Sequence, residues 1–190
     1  MDTNTMKSKI LSALALTALS LGAARAADYE IDPVGSYVVF NVSHFGVGAC
    51  YGRFNEFSGT VSYDKDKPAD AKLTFTVKAA SIDTGNEKRD DHLRNADFFD
   101  VVKFPEIKFV SKSVSGNKLT GDLTMHGVTK EITADVTVTG IGTHLGNKKE
   151  LLGAVANFTV KRTDFGMKYG VPDAVGDEVK LTVAIEALKK

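Results

Sequence analysis

The chain has 190 residues with 24 basic and 24 acidic side chains, no tryptophan and one cysteine. Charge balanced this closely argues against nucleic-acid binding, which needs a clustered basic surface. A lone cysteine excludes an internal disulfide framework, and the length suits one domain behind a processed leader.

The leader comes first. Lys7 and Lys9 precede an apolar run from Ile10 to Leu21, and Ala24-Arg25-Ala26 supplies small residues at an A-x-A site. The run is too short for a membrane span and has the layout of a secretory signal peptide, assigned to residues 1–26. Residues 27–190 then form the mature domain, expected in the periplasm. Removing Asp2, Lys7, Lys9 and Arg25 leaves 21 basic and 23 acidic residues, about −2 overall.

Strand signals follow almost end to end. Ser36, Val38, Phe40, Val42 and His44 share one face of a first strand, with Tyr37, Asn41 and Ser43 opposite. Gly46-Val47-Gly48 ends it. A second strand runs through Phe54 and Phe57 to Tyr63, with a bulge near Asn55-Glu56 to keep both rings on one side. Cys50 is read as a small side chain in the loop beside Gly48 and Ala49. Leu73, Phe75, Val77 and Ala79 alternate with polar residues, as do Ile107 and Phe109 after a charged insert. Gly116-Asn117 and His126-Gly127 are turns flanking Leu119, Gly121, Leu123 and Met125. Ile132, Ala134, Val136 and Val138 share the next inward face, and two strands over Leu152–Lys161 and Val179–Ala187 close the count.

About eight alternating strands joined by hairpins predict an antiparallel sheet with one protected face. Closing it into an all-β, lipocalin-like extended barrel removes the exposed edges, and one short helical insert lies within it. Eight strands make a barrel that either fills with side chains or holds one small ligand. The predicted inner face mixes Gly121, Ala79, Ala134 and Ala187 with Phe40, Phe75 and Phe109, which fits either outcome.

The insert, residues 86–94, is almost wholly polar and gives way to Phe98-Phe99. Arg89, Asp90, Arg94, Phe98 and Phe99 are the candidates for a lid over one barrel end or a salt-bridged brace. Four widely spaced histidines form no metal-ligand spacing, so no metal is expected. His44, on the inward register, is the expected polar contact for a ligand. No nucleophile motif or phosphate-cradling glycine loop occurs, so no catalytic residue is assigned.

Several stretches together resemble the YceI-like family of exported polyisoprenoid-binding proteins. They are Tyr29-Glu30-Ile31-Asp32-Pro33, Ser36-x-Val38-x-Phe40-x-Val42-x-His44, Gly52-Arg53-Phe54, Ser81-Ile82-Asp83-Thr84 and Arg89-Asp90-x-His92-Leu93-Arg94. Asp97-Phe98-Phe99-Asp100-Val101, Phe104-Pro105-x-Ile107-x-Phe109, the hairpin from Gly121 to Lys130, and Arg162-x-Asp164-Phe165-Gly166 complete the set. The resemblance implies a carrier enclosing a long isoprenoid lipid, of polyprenyl phosphate or isoprenoid quinone type, with no other cofactor. Wall residues are expected at Phe40, Val42, Phe75, Val77, Phe109, Leu123, Val136 and Val183. Membrane contact is expected to be transient, and a homodimer is left open. Two alternatives stand beside this reading: a quinone-linked redox or stress-response enzyme using His44 and Cys50, and a structural barrel with no cavity.

Overall fold

The computed structural model describes residues 26–190, and the expected signal peptide lies outside the described residues apart from Ala26. Ten strands are present: β1 Ala27–His44, β2 Gly48–Phe54, β3 Phe57–Tyr63, β4 Lys72–Lys78, β5 Ile82–Asp83, β6 Glu106–Ser115, β7 Lys118–Met125, β8 Val128–Thr143, β9 Glu150–Lys161 and β10 Val175–Lys189. Among the described residues one α-helix, α1, spans Glu87–Arg94 between β5 and β6.

All pairings are antiparallel. The order β1, β3, β4, β6, β7, β8, β9, β10 closes through β10 back onto β1, giving the eight-stranded barrel. Alternation drives the closure. In β7, Leu119, Gly121, Leu123 and Met125 are buried, while Thr120 and Thr124 face outward and meet Thr133 and Thr129 of β8 at 2.9 and 2.8 Å. Such cross-strand pairs fix register on the wet face while apolar burial fixes it on the dry one.

Three expectations change. The first strand begins nine residues before Ser36, at Ala27, because the chain crosses Pro33-Val34-Gly35 without leaving the sheet. The register against β10 shifts between Asp32 and Tyr37, and Ser36 ties the irregularity down. Its hydroxyl donates to Asp32 O at 2.6 Å and accepts from the Glu186 N–H at 2.9 Å. The second strand is two strands, since the ladder breaks at Asn55-Glu56 in place of a bulge. There Asn55 N–H donates to Ser81 O, and Lys78 N–H donates to Glu56 O. Both rings still face inward, with Phe57 stacked on Phe75 at a centroid distance of 5.6 Å. Cys50 lies within β2, half-buried and opposite Val42, rather than in a loop.

Candidate functional site

Inside the barrel is a cavity of about 200 Å³ lined by thirty residues, of which Arg162 alone is polar. The wall residues Phe40, Val42, Phe75, Val77, Phe109, Leu123, Val136 and Val183 all line it, as do Phe98 and Phe99. The small residues divide between two roles. A Cβ on Gly121 would stand 2.5 Å from the Phe109 ring, and one on Gly52 2.4 Å from the Phe40 ring, so those glycines seat aromatic side chains. Ala134, Ala154 and Ala156 instead face open space in the wall. A barrel with no cavity is thereby ruled out.

The cavity is blind at one end. Tyr29, Ile31, Val61, Leu152 and Ala187 are buried together beyond it without lining it. They form a plug where β1 begins and β10 ends. The Tyr29 phenol donates to Glu150 at 2.6 Å, and Lys189 reaches the same carboxylate at 3.1 Å. Burial and then the Glu150 hydrogen bond push the Tyr29 pKa up to about 12.

The opposite end is bridged by α1, the segment 95–105 and the loop after the 3-10 turn Arg162–Phe165. Asn86 caps α1 by accepting the Arg89 N–H at 3.0 Å. Arg94 donates to Ala80 O at 2.9 Å and Ile82 O at 3.0 Å, tying the helix to β5. Asp91 pairs with Arg94 at 2.9 Å, as a salt-bridged face requires. Asp90 does not: it is buried and accepts the N–H and hydroxyl of Thr84. Arg89 in turn donates to Thr84 Oγ1 at 2.7 Å and Thr84 O at 2.8 Å. The pattern Arg-Asp-x-His-Leu-Arg therefore encodes a set of backbone clamps. Phe98 is buried between His92 and Tyr169, at centroid distances of 5.1 and 5.3 Å, and its ring lies 5.8 Å from the Arg162 guanidinium carbon.

Arg162 was not among the residues singled out as a site, though its Arg-x-Asp-Phe-Gly setting was visible. Its Nε and two terminal nitrogens donate to Gly176 O, Met167 O and Val175 O at 2.8, 3.4 and 2.7 Å. Burial holds its pKa below the ordinary guanidinium value, opposed by the charge of Asp177. Asp177 itself accepts from the Thr163 N–H and hydroxyl. With its donors turned to main-chain carbonyls, Arg162 braces the loop and leaves the wall effectively dry.

His44, the expected polar contact, pairs with the wall residue Val175. It has the inward register but ends β1 at the rim, off the cavity wall, with its ring 4.3 Å from that of Phe45. Cys50 is off the wall as well. Among the described residues, no three His, Cys, Asp or Glu side chains cluster as a metal site would require. His126 is occupied by Phe165 O at 2.9 Å and His92 by Asp97 at 2.9 Å. Among the described residues, no helix is long and apolar enough to cross a membrane.

The family model described as YceI-like domain matches residues 29–187. A UPF0312 protein of Pseudomonas putida is 40% identical over 194 residues, covering 97% of this chain and 100% of its own. Among solved structures, Burkholderia cenocepacia BcnA superposes with a TM-score of 0.73 at 27% identity, over 82% of this chain and 98% of that one. A polyisoprenoid binding domain from Saccharophagus degradans, implicated in plant cell wall breakdown, has a TM-score of 0.69 over 87% of this chain and 100% of its own. At 14% identity that last likeness is one of fold.

Proposed function

The chain belongs to the YceI-like domain family, and from that premise we propose that it binds a long isoprenoid-like lipid by its hydrocarbon tail and carries it in the periplasm. The observation that carries this reading is the blind cavity, with one polar residue among thirty in its wall. Each buried CH₂ contributes about 0.8 kcal/mol, so a tail of several isoprene units is held firmly once the ordering of tail and protein is offset. The dry wall places selectivity in the tail and leaves the head group at the mouth. The role is binding: the candidate wall offers no nucleophile and no general base. The Saccharophagus protein that shares this fold is a polyisoprenoid binding domain.

Native mass spectrometry of the exported protein, followed by solvent extraction of any bound lipid, tests the proposal. Co-purified isoprenoid mass is the expected result. A protein that carries none, and takes up none of a graded series of prenyl alcohols, overturns it. Ala156→Phe, opposite Val136 and Val183, is expected to fill the wall and abolish tail uptake while the barrel stays folded. Prenyl alcohol and prenyl phosphate of equal tail length should bind within about tenfold of each other, or about 1.4 kcal/mol. N-terminal sequencing of the periplasmic fraction checks export, with a start at Ala27 expected.

A further inference from the structure

From Pro33 to Gly52 twenty consecutive residues contain no Asp, Glu, Lys or Arg, in a chain that is 25% charged. The longest such run C-terminal to it, residues 136–147, has twelve. The inner face of this segment is explained by the cavity, through Val38, Phe40 and Val42. Its outer face and tip are not. Phe45 is 62% and Val47 94% exposed at the turn between β1 and β2, and Tyr51, within β2, is 69% exposed.

Phe45 is also held in the left-handed region, with φ of 50°, where an aromatic residue is disfavoured and Asn or Gly is at ease. The ring meets His44 at 4.3 Å but the residue is 62% exposed, so little burial within the fold offsets that cost. The position supplies the explanation. Val42 and Val175 both line the cavity, His44 pairs with Val175, and the Phe45 N–H donates to Ala174 O at 2.9 Å. The apolar tip is therefore part of the rim at the bridged end, away from the plug.

We infer that the β1–β2 hairpin docks on a lipid bilayer, with Phe45 and Val47 inserted among the head groups and acyl chains, and so seats the mouth against the membrane. This rests on the lipid-carrier reading, and it assigns the surface through which a tail passes without crossing water. An uncharged hairpin offers nothing to anionic lipids, so docking is driven by apolar burial and is insensitive to salt.

The mature chain is tested by co-sedimentation with phosphatidylcholine vesicles at about 0.1 M and about 1 M salt, where the Debye length falls from about 10 to about 3 Å. A dansyl-labelled geranylgeranyl lipid serves as cargo probe. The double variant Phe45→Asn/Val47→Ser suits the backbone at position 45 and leaves the cavity wall untouched. It is expected to lose about tenfold or more in vesicle binding and in the rate of probe extraction from vesicles. Its loading from detergent should match the wild type. Leu145→Ser, at an exposed apolar tip on the plugged side, should change neither. Vesicle binding that is equal in wild type and double variant overturns the inference, as does binding lost at high salt. A wild-type dimer that the double variant dissolves, with no vesicle binding by either, reassigns the hairpin to a second copy of the chain. Failure of every protein to load the probe from detergent overturns the carrier reading, and sedimentation still decides the docking.

Discussion

The two ends of the barrel are closed by different physics. At the plugged end, Tyr29, Ile31, Val61, Leu152 and Ala187 fill the space, and shape is set by volume. At the bridged end, Asp90 and Arg162 are buried charged residues satisfied by backbone partners, and shape is set by directional bonds. Packing closes a space by occupying it. Hydrogen bonds can hold α1 and the Arg162 loop over a space while leaving it empty, so the polar clamps belong at the end next to the cavity.

Substitutions at each end break or sharpen this contrast. The largest effect is expected from Phe98→Ala at the bridged end. The ring is 7% exposed between His92, Tyr169 and Arg162, and its loss should cost about 3–5 kcal/mol by denaturant unfolding. If the lipid exchange rate is unchanged, the segment is a brace; a faster exchange makes it a gate. Leu152→Ala in the plug should cost about 2–5 kcal/mol, and tail binding measured at low temperature should survive, since Leu152 is off the wall. A matching loss of binding there would mean that the plug is part of the site.

The pH response separates the ends further. The folded state holds the Tyr29 phenol neutral with a pKa near 12, against 10.0 ordinarily. Its contribution is complete below pH 10 and is lost as pH rises through 12, about 2–3 kcal/mol in all. Tyr29→Phe should flatten the fall in stability between those values, and an unchanged slope would place the alkaline weakness elsewhere. The smallest effect is expected from Asn86→Ala, which removes the α1 cap and should cost about 1 kcal/mol. Hydrogen exchange confined to α1 and its contacts would identify the cause.

Much of the barrel was legible because alternation in strands such as Leu73–Ala79 and Leu119–Met125 reports directly which face is dry. The wall residues followed from that register. The breaks were harder. Pro33-Val34-Gly35 reads locally as a turn, and only the long-range bonds of Ser36 to Glu186 keep it in the sheet. Val138 had the inward pattern yet is 41% exposed, because β8 shifts register beyond it as the β8–β9 hairpin extends from the barrel. Asp90 looked like half of an ion pair because its arginine neighbours are adjacent in sequence, whereas its partner Thr84 lies across a turn. Arg162 was hidden for a related reason: its partners are carbonyl oxygens, which leave no trace in side-chain identity.

A tube sealed at one end is filled and emptied through the same opening. An incoming tail cannot push out a resident from behind, because Tyr29, Ile31, Val61, Leu152 and Ala187 fill the far end. Exchange then proceeds through the empty protein, and its rate is capped by departure of the resident lipid however much competitor is present. Cargo would wait for release rather than be displaced, which makes the residence time of the tail, more than the supply of rivals, the quantity that sets turnover.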